Sequence, residues 1–213
     1  MAKWQFTKGL HDLGNGCHAY LVPDGSWGWS NAGIVSDGDS SLLVDTLFDL
    51  KLTKEMLDDM RASIPAAKKI DVLVNTHADG DHTFGNQLVK DARIIGTAGT
   101  VEDFDRFDPA VLHQIAISKD EYGVAGEFMK ECFRPFDFSN IELTPPNEIF
   151  KDHLTIMVGD KRVELIEVGP AHSLGDALIY VPDDKVVYTG DILFSEGTPI
   201  AWYGPVARWI NAC

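Results

Sequence analysis

The stretch Asn75-Thr76-His77-Ala78-Asp79-Gly80-Asp81-His82 decides how this chain is read. It directly follows an apolar run, residues 70–75, of the kind that makes a strand buried on both faces. Two histidines and two aspartates within residues 77–82 do not share one helical face, so a loop at a strand end is their natural support. Carboxylates and imidazoles packed this densely repel each other or compete for protons unless they share a cation. The plain alternative is a polar turn, with Asp and Gly as turn formers.

Two later segments add to it. Gly169-Pro170-Ala171-His172-Ser173-Leu174-Gly175-Asp176 follows an apolar run and carries a histidine among small residues. Tyr188-Thr189-Gly190-Asp191 ends another run with an aspartate at its tip. Taken singly, His172 or Asp191 reads as a hydrogen-bonded turn residue. Potential ligands at three successive strand ends are what a metal cluster at a sheet edge requires.

The rest of the chain supplies the sheets. Residues 19–22, 32–35 and 41–46 read as strands, with a hairpin loop at 23–31 between the first two. Leu50, Met56, Leu57 and Met60 fall at helical spacing, and Pro65 lies beyond that helix. A strand is expected over 93–97. Residues 98–146 change texture: they are acidic and rich in phenylalanine (Phe104, Phe107, Phe128, Phe133, Phe136, Phe138), with helices expected over 111–117 and 121–133. Strands return at 154–158, 162–168, 177–181 and 185–188. The class is therefore α/β (α+β), with a helical insertion around residues 98–146. The length of 213 residues suits a single domain. Residues 203–213 read as a helix that stops without a cap, which leads us to expect that a C-terminal part is missing.

Composition excludes several functions. A hydrophobic fraction of 45% with 10% aromatics supports a true core. A formal charge of −15 argues against nucleic acid and anionic membrane surfaces as partners. Cys17, Cys132 and Cys213 are odd in number and widely spaced, which reads as isolated thiols in a reducing compartment. The N-terminus has no apolar leader core and no 18-residue apolar run occurs, so a cytoplasmic, non-membrane protein is expected.

The ordered set His-x-Asp-x-Asp-His, Gly-Pro-Ala-His-Ser-x-Gly and Thr-Gly-Asp resembles the metallo-β-lactamase-fold superfamily, and Leu43-Val44-Asp45-Thr46 resembles its earlier strand-ending aspartate. The resemblance runs from the N-terminal strands to about residue 200. It implies an αββα sandwich with one or two metal ions, zinc by default, at one edge of the paired sheets. His77 and His172 then resemble ligands of a first ion, Asp81 and His82 of a second, and Asp191 a bridging carboxylate. Asp45 resembles a residue that orients the ligand loop. Asp81 also resembles the group that handles the proton of the nucleophilic water.

The chain departs from the pattern twice. Asp79 stands where the family usually has a histidine. As a ligand it adds negative charge, lowers the metal's Lewis acidity and shifts preference toward Fe or Mn; otherwise it does not bind and the first site is weak. No histidine follows His172, so one expected ligand is absent.

Trp27 and Trp29 resemble a substrate-covering flap, or else pack down the hairpin. The Phe-rich block reads as a pocket wall, a homodimer contact or the core of the insertion. The resemblance implies a metal-dependent hydrolase acting on an ester, thioester, lactone or amide carbonyl of a small molecule. The alternatives are a diiron-type oxidoreductase, since diiron members carry a carboxylate at the Asp79 position, and a catalytically impaired metal-binding form.

Overall fold

The apolar runs become strands of two sheets in a computed structural model that describes residues 6–23, 26–118, 123–195 and 197–213. In the first sheet β1 (Gly9–Gly14), β2 (Cys17–Leu21), β3 (Ala32–Asp37) and β4 (Ser40–Val44) pair antiparallel. The parallel strands β5 (Val72–Val74), β6 (Arg93–Thr97) and β7 (Glu148–Phe150) then continue it in chain order. The second sheet is antiparallel, in the order β11 (Val186–Tyr188), β10 (Ala177–Val181), β9 (Lys161–Glu167), β8 (His153–Val158).

The pairing of β4 with β5 explains the unbroken apolar runs. Leu42, Leu43 and Val44 lie opposite Val72, Leu73 and Val74, and all six are buried. Alternate residues serve opposite faces. Leu42, Val44 and Val74 meet Val163, Leu165 and Ile179 between the sheets. Leu43 and Leu73 instead face Met56, Leu57 and Met60 of α1 (Leu50–Ser63). That helix starts where the Asp49 carboxylate accepts from the Leu52 amide at 2.7 Å. On the far side, α6 (Val206–Ala212) packs Trp209 against Ala171 and Ile192, with Leu178 of β10 alongside. The layers are therefore helix, sheet, sheet, helix, as expected.

The insertion holds α3 (Ala98–Glu102), α4 (Pro109–Ile117) and α5 (Gly123–Phe133). Phe133, Phe136 and Phe138 join Phe48 and Phe84 in a third core. So these phenylalanines pack the insertion onto the main domain as well as filling its interior, although Phe128 stays exposed. The α4 helix begins before residue 111 because Asp108 caps it and Pro109 takes its first position. Glu121, where α5 was expected to start, lies outside the described residues. The helix expected from 203 starts only at Val206, after Pro205. The sequence reading missed β1 and β7. β1 is a partly exposed edge strand, and β7 has three residues, so neither shows a strong alternation. Among the described residues no helix is long and apolar enough to cross a membrane.

Candidate metal centre

Each ligand type named from sequence sits just beyond a strand. His77 follows β5, Asp79 occupies the cap position of α2 (Gly80–Thr83), and Asp81 and His82 lie within that one-turn helix. His172 lies in the loop between β9 and β10. The Asp176 carboxylate holds that loop by accepting from the Ala171 amide, the Ser173 amide and the Ser173 hydroxyl at 2.7–3.0 Å. Gly175 in the same loop passes so close to α3 that a Cβ there would clash with the Thr100 amide nitrogen. Asp191 sits in a short turn after β11. The first sheet therefore contributes four of these residues and the second sheet two.

Hydrogen bonds turn three imidazoles the same way. Asp45 ends β4 with a left-handed φ of 60°, which aspartate tolerates better than most residues. Its carboxylate accepts from the Thr76 amide and the Thr76 hydroxyl, both at 2.7 Å, and from His82 Nδ1 at 2.9 Å. The Thr76 proton is thereby committed to Asp45, so the Thr76 oxygen accepts from His77 Nδ1 at 2.9 Å. His172 Nδ1 donates to the Ile200 carbonyl at 2.7 Å. One carboxylate thus fixes two histidines, directly and through a hydroxyl, and every Nε2 is left facing the same space.

Two sets of donors result, each with its ligand atoms within 4.8 Å of one another: His77, Asp79, His172 and His77, His82, Asp191. The first set joins His77 and His172, the pair the resemblance implies for one ion, with Asp79, which the sequence left either as a ligand or as a non-ligand. In the second, His77 stands where Asp81 was expected, while Asp81 Oδ2 lies 3.7 Å from His82 Nε2. The donors fit a cation. His77 Nε2 and His82 Nε2 are buried without a hydrogen-bond partner, although His82 Nε2 is 3.2 Å from Asp191 Oδ1. A buried unsatisfied nitrogen costs about 1–3 kcal/mol, which coordination removes.

The electrostatics are those of a site waiting for positive charge. Burial opposes ionisation of Asp79, but the His172 hydrogen bond and the charges of His77, His172 and Arg106 outweigh it and hold the carboxyl down at about 2. Asp191 is likewise depressed despite burial, chiefly by His82. Burial pushes Asp81 up to about 7; His82 opposes this, and Asp191 and Asp79 reinforce it. His82 is raised well above the ordinary imidazole value: burial works against its charge, but Asp191, Asp81 and Asp45 prevail. His77 is lowered by burial and by His82.

Sequence reasoning missed the surroundings of Asp79. Arg106 Nη2 donates to its Oδ1 at 2.6 Å, and Trp202 Nε1 donates to its Oδ2 at 2.7 Å. The available signal was Arg106 as a lone cation among Glu102, Asp103, Asp105 and Asp108. Trp27 reaches this wall edge-on to Trp202, with centroids 6.0 Å apart, and also touches Phe128 and Phe133. Trp29 instead packs on Phe136 at 4.8 Å, inside the third core.

Comparison with known proteins agrees with this architecture. A family model described as the metallo-beta-lactamase superfamily matches residues 25–211. The chain is 23% identical over 192 residues to acyl-coenzyme A thioesterase MBLAC2 of Homo sapiens, covering 86% of this chain and 66% of the relative. The Bos taurus protein of that name matches to the same extent. The chain therefore spans 66% of the length of these curated relatives. A metallo-beta-lactamase from Pontibacter korlensis superposes with a TM-score of 0.67 at 14% identity, over 97% of this chain and 83% of that one. The sec-alkylsulfatase Pisa1 from Pseudomonas sp. gives 0.67 at 18% identity, over 96% and 35%. These two likenesses are of fold. With the family match extending over most of its length and the donors assembled at the shared sheet edge, the chain belongs to the metallo-beta-lactamase superfamily.

Proposed function

We propose that this chain is a metal-dependent hydrolase of small-molecule carbonyl substrates, with acyl thioesters first among them. The observation that carries the reading is the convergence of the three Nε2 atoms on Asp79 and Asp191, with two of those nitrogens unpartnered. His77, Asp79 and His172 would hold one ion, and His82 with Asp191 and Asp81 a second. A bound divalent ion supplies Lewis acidity for the carbonyl oxygen and makes water ionise near neutral pH. The remaining work falls to the chain. Asp45 keeps His77 and His82 in the tautomer that presents Nε2. Asp81, with its carboxyl near 7, is suited to take the proton of an attacking water and return it to the leaving group. Trp202, Trp27 and Phe128 form an aromatic wall suited to an apolar acyl group.

Thioesters lead because the curated relatives are named as acyl-coenzyme A thioesterases. Zinc is the metal of first choice. The three unpaired cysteines support a reducing compartment such as the cytoplasm. The carboxylate of Asp79 beside two histidines also favours a second reading, a diiron oxidoreductase.

Elemental analysis followed by a panel of thioester, lactone and β-lactam substrates tests the proposal. One or two equivalents of zinc, with turnover lost on chelation and regained with metal, is the expected outcome. Asp81→Ala and His172→Ala should each reduce bound metal and abolish turnover. Two equivalents of iron would favour the oxidoreductase. No bound metal would favour the impaired form.

A further inference from the structure

Asp79 is held in an unusual manner for a residue that replaces an imidazole. Its two oxygens do different things. Oδ1 accepts from Arg106 Nη2 at 2.6 Å. Oδ2 lies 3.3 Å from His172 Nε2 and 3.8 Å from His77 Nε2, and it also accepts from Trp202 Nε1. The guanidinium is itself fixed. Arg106 Nη1 donates to Asp103 Oδ2 at 2.7 Å, and the Tyr203 hydroxyl donates to Asp103 Oδ1 at 3.0 Å. The guanidinium carbon lies 4.6 Å from the Phe107 ring centre and 4.8 Å from that of Trp202. The fork spans the two carboxylates, one nitrogen on each, and with Trp202 Nε1 on Oδ2 the Asp79 carboxylate is anchored at both oxygens.

We propose that Arg106 is a positioning residue for Asp79: it occupies Oδ1 so that Asp79 presents the single oxygen Oδ2 to the His77–His172 pair, as an imidazole would present a single nitrogen. The role rests on the metal site proposed above. It also bears on the charge problem posed by the sequence. A free carboxylate in place of an imidazole adds a full negative charge and can chelate through both oxygens. With Oδ1 held toward the guanidinium, Oδ2 is the oxygen turned to the two Nε2 atoms, chelation by both is disfavoured, and part of the charge is taken up, with Asp103 sharing the same cation. The site is then closer to an all-imidazole site than its sequence implies. Trp202 contributes by stacking on Arg106 and by donating to Oδ2.

A double-mutant cycle on the whole chain tests this, with zinc affinity read by competition against a chromophoric chelator. Arg106→Gln should weaken zinc binding about tenfold or more when Asp79 is present, the usual cost of losing a partner that orients a ligand. In the Asp79→His background, where there is no carboxylate to orient, the same change should cost less than about threefold. Arg106→Lys should fall between, because an ammonium keeps the charge but not the fork. If Arg106→Gln does not fold, Trp202→Phe, which loses the indole donor and keeps the ring, serves in the same cycle. An unchanged or stronger zinc affinity in Arg106→Gln overturns the proposal, as does an equal loss in both backgrounds. Failure of the wild-type chain to bind zinc, iron or manganese would instead overturn the metal site itself, and the two failures are distinct.

Discussion

Asp45 serves two histidines at once, and the consequence is a proton inventory. His82 donates from Nδ1 to Asp45, and Asp191 and Asp81 crowd its Nε2, so its folded-state value lies well above the ordinary imidazole one. The charged ring, with a proton on both nitrogens, is therefore favoured in the metal-free protein more than in a free imidazole. A metal needs the neutral ring, so binding must expel that proton. The sign follows: metal affinity should fall as pH falls below neutral, and adding zinc to the metal-free chain in weak buffer near pH 7 should acidify the solution. Calorimetry in two buffers of different ionisation enthalpy measures the count, and zero protons released would contradict the assignment of His82 as a ligand. At this scale the motif residues were legible because residues 77–82 are contiguous and end a strand. Arg106 and Trp202 were not, because they meet Asp79 across sequence separations of 27 and 123. No local pattern encodes such contacts.

Among the elements, β11 shows how one sheet carries a ligand to the other. Tyr188, its last residue, donates its hydroxyl to the His18 carbonyl at 3.1 Å and lies 3.3 Å from the Ile34 carbonyl. Its ring lies against Gly33, where a Cβ would sit 2.2 Å from a ring carbon. Asp191 follows three residues later, so the tyrosine sets where that carboxylate emerges. Gly33→Ala should force the ring aside. We expect a loss of about 1–3 kcal/mol in unfolding free energy, the usual cost of overpacking, together with weaker metal binding. Urea denaturation and the chelator assay measure the two. An alanine variant of full stability and full affinity would show that the ring is free to move. The buried parallel strands could be read from composition alone, since every residue that pairs β4 with β5 is aliphatic. The short β7 follows two prolines and is specified mainly by its neighbour β6, which is why pattern reading passed over it.

For the molecule as a whole, the donors belong to both sheets. Val35, Leu42 and Val44 meet Val163, Leu165 and Ile179 across the interior, and this packing joins the two sheets. At the ligand edge the Ala177 amide donates to the Thr76 carbonyl at 2.8 Å, the direct backbone link between the two ligand loops. An ion bound there binds the folded state and not the separated sheets. At a free concentration 100 times its dissociation constant it should add about 2.7 kcal/mol. The melting temperature should accordingly rise with zinc and drop on chelation, with His172→Ala showing a much smaller response. A melting temperature indifferent to metal in the wild-type chain would place any bound ion outside this edge.

The division of donors between the sheets also orders events during synthesis. His77, Asp79, Asp81 and His82 emerge together, whereas His172 and Asp191 follow 90 and 109 residues after His82. Until His172 and Asp191 arrive, the early cluster has neither its third imidazole nor its third carboxylate. A nascent chain should exchange ions freely, and if these residues hold the proposed ion, tight loading is expected only once the second sheet has brought His172 and Asp191.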